Sequence, residues 1–165
     1  MKPALLVIDM QKAFSTGKSK ESMEAASDCI NAAASFFRKK GLPVFFIHQV
    51  YKESGAFPGE PGFEFIDTLQ TAKSDYRITK EYPNSFNKTN LFELLRKTGT
   101  DTVIVSGFCA EYCVLSTYRG ALDLDLVPVI LKKGIASGVE KNIGFVESVS
   151  DIVTVGALLK FLENA

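Results

Sequence analysis

The sequence predicts an α/β protein, a three-layer αβα domain built on a mostly parallel six-stranded Rossmann-like sheet. Three observations predict it. Short, unbroken apolar runs rich in branched residues (ALLVI, VFFIH, TVIVS) have the pattern of strands buried on both faces. Between several of them lie segments with apolar residues every three or four positions, the period of a helix. Strands alternating with helices call for parallel crossovers, which put helices on both sides of one sheet.

The elements follow in order. Residues 4–8 (ALLVI) form the first strand, and residues 19–40 a helix with Met23, Ala26, Ile30, Ala33 and Phe37 on one face. Gly41 ends that helix and Pro43 blocks its continuation. Residues 44–48 are the second strand. The stretch 49–72 carries Gly55, Pro58, Gly59, Pro61 and Gly62 and reads as a long loop, which in a compact domain usually carries function or covers something. Residues 75–79 give a third strand, 91–97 a helix closed by Gly99, and 102–106 a fourth strand. A helix over 112–124, strands over 127–131 and 151–155, and a terminal helix over 156–163 complete the set. With no repeat, low-complexity tract or linker, the expectation is one domain over residues 1–165.

Composition excludes several function classes. The chain has 165 residues, 46% hydrophobic and 23% charged, with 19 basic side chains balancing 19 acidic ones. Zero net charge gives no electrostatic case for nucleic acid or an anionic membrane. No apolar run approaches the ~20 residues of a membrane span. Cys29, Cys109 and Cys113 are too few for a disulfide framework, and the start MKPALLVIDMQ lacks the cleavage site of a signal peptide. A cytoplasmic protein with reduced thiols is expected. A single histidine, His48, makes a multi-histidine metal site impossible.

In open parallel sheets ligands bind beyond the carboxyl ends of the strands. Past strand one comes Asp9, past strand three Lys80, and past strand four Gly107, Phe108 and Cys109, then Cys113 as a helix begins. A carboxylate, an ammonium and a thiol therefore converge on one sheet edge. Alone, each has an ordinary reading: a buried core thiol, a turn aspartate, a surface lysine. Together they suit nucleophilic catalysis, in which the thiolate attacks, the helix start and Lys80 favour the anion, and Asp9 moves the proton. The Gly107–Cys109 turn and the helix start would offer backbone N–H groups to an oxyanion. Cys29 has no reactive partner and reads as core, Cys109 as backbone scaffolding, and His48 as packing near the same edge.

Three segments carry a resemblance to a known family: ALLVIDMQKAF with Asp9, Gln11 and Phe14; ITKEYPNSFNKTNL with Lys80, Ser85 and Thr89; and VIVSGFCAEYCVLSTYRGAL with Cys113, Thr117 and Ala121. In this order and spacing they resemble the isochorismatase-like cysteine hydrolases, which include nicotinamidases and related amidases, from residue 4 to about residue 137. The resemblance implies a catalytic triad of Asp9, Lys80 and Cys113. It also implies a cis peptide at Phe108–Cys109 and an oxyanion site made by the N–H groups of Cys109 and Cys113. Metal-dependent nicotinamidases carry an aspartate and several histidines after strand two. Here FFIHQVYKES puts Gln49 at the carboxylate position, so neither metal nor other cofactor is expected. Lys133-Gly134 stands where the family commonly has Asp-Ala after strand five.

The expected activity is hydrolysis of a small amide, ureide or carbamoyl C–N bond through a thioester. Substrate walls would come from Phe14, Gln49, Tyr82, Phe108, Tyr112 and the 50–70 loop. The alternatives are an enol-ether hydrolase of the isochorismatase type, which needs no thiol, and a non-catalytic binding or assembly protein that keeps the fold. Expected partners are a small-molecule substrate and further copies of the chain in a homo-oligomer, as family members commonly assemble.

Overall fold

The computed structural model describes residues 1–163 of the chain. Six strands form one sheet: β1 (Pro3–Ile8), β2 (Val44–Gln49), β3 (Tyr76–Lys80), β4 (Thr102–Phe108), β5 (Val127–Ala136) and β6 (Ile152–Val153). Their order is β3-β2-β1-β4-β5-β6, and every neighbouring pair is parallel. Alternate residues of the strands feed two separate cores. Leu6, Ile8, Phe45, Ile47, Val103 and Val105 pack on α2 (Leu91–Lys97), α3 (Leu115–Leu122) and α4 (Glu140–Ser148). Leu5, Val7, Val44, Phe46 and Ile104 pack on α1 (Gly17–Lys39) and α5 (Val155–Glu163). Both faces of each central strand are thus covered, the reason these runs are unbroken in apolar residues rather than alternating.

The chain leaves β1 for β2 on one side, and β4 lies on the other, so the topology reverses between β1 and β4. A crevice opens outside the carboxyl ends of the strands at such a point. Asp9 follows β1 here and Cys109 follows β4.

Four elements differ from the sequence expectation. The fifth strand runs to Ala136 rather than residue 131, because the ladder with β4 resumes after a register shift: Val105 pairs Ile130, but Gly107 pairs Ile135. Lys133 (φ 64°) takes up the extra residues, so Lys133-Gly134 lies inside β5 and not after it. The helix expected over 112–124 is instead a π-turn at Ala110–Val114, with the Leu115 N–H reaching Ala110 O, followed by α3. The sixth strand spans two residues of the five expected. Helix α4 has no counterpart in the sequence reading; it faces the core through one pair, buried Val146 and half-buried Ile143, too short an apolar period to mark a helix.

The long loop is docked onto the sheet. Gln11 and Phe65 form an antiparallel bridge, the Lys12 N–H donates to Glu64 O at 2.8 Å and the Ile66 N–H to Met10 O at 3.0 Å. At its far end Arg38 clasps Asp75 through two 2.9 Å bonds. No helix among the described residues is long and apolar enough to cross a membrane.

Candidate active site

Asp9 is the first residue beyond β1. Its backbone sits in the left-handed region (φ 50°), a conformation short polar side chains tolerate and one often held at functional positions. Its N–H is tied to Ile47 O at 2.9 Å, which aims the side chain along the sheet edge. The carboxyl is 2% exposed. Lys80, the last residue of β3, is equally buried, and its Nζ donates to Asp9 Oδ2 at 2.8 Å. The same ammonium donates to Gln49 Oε1, since the β2–β3 register sets Gln49 opposite Lys80. A buried ion pair with a third, neutral partner therefore joins residues 71 apart in sequence.

Cys113 lies in the π-turn after β4, half-buried, with its thiol close enough to Asp9 and Lys80 to interact with both. Asp9 Oδ1 is buried and has no hydrogen-bond partner of good geometry. It is an unspent acceptor on the carboxylate next to the sulfur.

The electrostatics correct one expectation. The sequence favoured a resting thiolate; burial, then the charge of Asp9, push the Cys113 thiol up to about 12, and the opposing pull of Lys80 is smaller. The resting sulfur carries its proton. Burial likewise raises the Asp9 carboxyl above its ordinary value, with Lys80 opposing. A raised carboxyl is a stronger base, so the two groups are closer in proton affinity than free aspartate and a buried thiol would be.

Cys113, Asp9 and Gln49 line one cavity of about 320 Å³ at the strand ends. Phe14 and Phe108 wall it with rings 6.0 Å apart and 21° from parallel, and Tyr112 stands at its edge, 66% exposed. Cys109 lines it too, and the Phe108–Cys109 peptide is cis. Among the described residues no backbone carbonyl accepts from the Cys109 N–H. The Cys109 thiol turns away and donates to Glu111 Oε2 at 3.1 Å. Burial, then the Glu111 carboxylate, push it up to about 12, as for Cys113, but its sulfur is engaged with Glu111 and Ser137 rather than with Asp9 and Lys80.

Tyr82 does not line this cavity. Its hydroxyl accepts from Lys88 Nζ at 2.9 Å and its ring lies under the same ammonium, while its neighbours Glu81 and Pro83 form the wall. The alternation of side chains after β3 inverts the expectation: with Lys80 pointing in, the backbone bend brings 81 and 83 to the cavity. The 50–70 loop does supply a wall, through Tyr51, which the sequence reading did not single out within it. His48 stacks between Phe63 (4.4 Å) and Phe65 (4.0 Å), away from the cavity, and burial lowers it to about 4. Cys29 packs beside the α1 core, its thiol on Lys132 O at 3.3 Å.

Some motif residues prove to be braces. Gln11, fully buried, donates to Gln49 O and Phe63 O and accepts from the Gln49 N–H at 2.7 Å, fixing the residue that Lys80 leans on. Ser85 and Thr117 share a 2.8 Å hydroxyl bond that ties the segment after Lys80 to the helix after Cys113.

Known proteins resemble this chain in sequence and in fold. The family model described as Isochorismatase domain matches residues 3–142. A secreted isochorismatase effector of Verticillium dahliae is 32% identical over 120 residues, 70% of this chain and 62% of that protein. The chain thus matches less than two thirds of that relative's length. Among solved structures, an isochorismatase-like hydrolase from Alkaliphilus metalliredigens superposes with a TM-score of 0.86 at 24% identity, covering 98% of this chain and 99% of that one. An N-carbamoylsarcosine amidase from Thermoplasma acidophilum gives 0.81 at 27% identity, covering 94% and 97%.

Proposed function

The chain belongs to the isochorismatase family, and from that premise we propose that it is a cysteine hydrolase of small amide, ureide or carbamoyl compounds, with Asp9, Lys80 and Cys113 as its triad. One observation carries the reading: a buried carboxylate, paired with Lys80 through one oxygen and with the other left to accept, lies beside the Cys113 thiol in the lining of a ligand-sized cavity.

The substrate carbonyl enters next to Cys113. Because the thiol is protonated at rest, attack and proton transfer go together: the sulfur bonds to the carbonyl carbon as Asp9 takes its proton. Charge is conserved within the site. Before transfer Lys80 pairs with the Asp9 carboxylate; afterwards it sits beside a neutral acid and the sulfur that has become bonded. The carbonyl oxygen becomes an oxyanion, held by the backbone N–H groups of Cys109 and Cys113. Collapse breaks the C–N bond, and Asp9 returns the proton to the leaving amine. A water then attacks the thioester, giving a proton to Asp9; the C–S bond breaks as the acid departs, and the sulfur takes that proton from Asp9, which restores thiol and carboxylate. Lys80 keeps Asp9 oriented throughout and Gln49 keeps Lys80 oriented.

The test is ammonia release from a panel of simple amides and ureides by the wild type, Cys113→Ala and Cys113→Ser. Turnover that Cys113→Ala lowers by a factor of at least about 10³ is expected. Turnover that survives Cys113→Ser would instead mark chemistry without a thiol nucleophile, as in an enol-ether hydrolase. Absence of turnover across the panel, with Cys113 no more reactive to iodoacetamide than Cys29, would leave a binding protein.

A further inference from the structure

The charges around the cavity carry a statement about which amides it accepts. Lys80 is spent on Asp9 and Gln49, so the floor is a neutral ion pair rather than a cation. The walls are Phe14, Phe108, Pro83, Tyr51 and Tyr112. One further charged side chain lines the space, Glu81, and it is exposed. Among the described residues no Lys, Arg or His lines the cavity, and none forms an ion pair with Glu81. The lysines that flank the mouth in sequence are engaged elsewhere: Lys52 lies over the Phe57 ring at 4.7 Å and Lys88 on the Tyr82 hydroxyl.

A substrate bearing a carboxylate would lose hydration against aromatic walls with no cation to receive it, and would face Glu81 as well. A neutral body loses nothing of this kind. A cationic one gains Glu81 and the ring faces of Tyr51 and Tyr112, which are 53% and 66% exposed and free to be covered. Phe14 and Phe108, stacked on one another, give the cavity an aromatic side.

We infer that the site selects amides or ureides whose body is neutral or cationic and rejects those that carry a carboxylate, with Glu81 as the residue that sets the preference. This rests on the amidase reading for turnover, though the charge preference of the cavity can be measured without it.

Two measurements separate the two claims. The first is kcat/KM for ammonia release from benzamide, 4-carboxybenzamide and 4-(aminomethyl)benzamide by the wild type, Glu81→Gln and Glu81→Lys. The neutral and cationic amides should exceed the carboxylate by about tenfold or more, and Glu81→Lys should narrow that gap by roughly fivefold, the scale of an exposed charge pair. The second is the rate of Cys113 alkylation by iodoacetamide and by iodoacetate, followed by peptide mass. The ratio of the two rates in the folded protein is compared with that in the urea-unfolded chain. A folded ratio at least about fivefold higher, cut back by Glu81→Lys, is expected. A carboxylate amide as the best substrate, or a folded ratio no higher than the unfolded one, overturns the inference. If alkylation shows the preference while no amide is turned over, the amidase reading fails and the charge preference stands.

Discussion

Lys80→Met removes the ammonium from a fully buried ion pair while keeping a side chain of similar volume. At the 2.8 Å separation seen here, the direct attraction amounts to about 6 kcal/mol for an effective dielectric constant near 20. Much of that is offset in the wild type by the cost of stripping water from both ions, so the net value of the pair is small. Removing one partner is different: the desolvation of Asp9 remains and its compensation goes, which costs about 3–5 kcal/mol. The loss has a direction in pH. Burial already raises the folded-state Asp9 carboxyl, and Lys80 opposes that rise; without Lys80 the folded value climbs further above the ~3.9 of an unfolded aspartate. Between those two values the folded protein holds a proton that the unfolded chain has lost, so stability falls as pH rises through the window. Urea unfolding at pH 5, 7 and 9 measures it. The Lys80→Met deficit should be smallest at pH 5 and grow towards pH 9, and adding Asp9→Asn should recover about 2 kcal/mol or more at pH 9, since no buried charge is then left alone. A deficit independent of pH, or a double variant no more stable than Lys80→Met, would refute the account of the site as a buried charge pair.

Two other expectations are read in stability. His48, lowered from 6.5 to about 4 by its burial against Phe63 and Phe65, is protonated more readily in the unfolded chain; the wild type should lose stability as pH falls from about 6.5 towards 4. His48→Phe should flatten that slope in thermal unfolding, with ammonia release at pH 7.5 unchanged; an equal slope in both proteins would contradict it. Gly107 lies at φ 110°, and a Cβ there would overlap the Ile8 carbonyl one residue before Asp9. Gly107→Ala should cost several kcal/mol, on the order of 3 or more, seen as a lowered urea midpoint or as insoluble protein, and a variant as stable as the wild type would show that β1 and β4 do not need this approach.

The strands most deeply buried were the most legible in the sequence. ALLVI, VFFIH and TVIVS are unbroken because both faces are covered, and with helical segments between them a parallel α/β sheet follows. Strand-end logic then placed Asp9, Lys80 and Cys113 together, because the carboxyl edge of a parallel sheet collects whatever residues follow its strands. Elements with few core-facing residues, or whose extent depends on a distant neighbour, were not legible. Helix α4 faces the core with Val146 and half-buried Ile143 alone and is tied by Asn142 Nδ2 to Glu111 at 2.7 Å, a contact with no local pattern. The extension of β5 depends on a bulge that becomes favourable only when β4 is alongside.

Chain order and residue type were thus enough to say which reactive groups meet and at which edge. Their protonation and their walls were decided in three dimensions. A thiol at a helix start beside a lysine looks like an anion when read along the chain; enclosed in a cavity and facing a carboxylate, it keeps its proton, because desolvation and a like charge outweigh one ammonium already paired with that carboxylate. In the same way the wall takes Glu81 and Pro83 rather than Tyr82, since backbone direction at the end of β3, which neighbouring strands impose, selects which side of the chain faces the ligand.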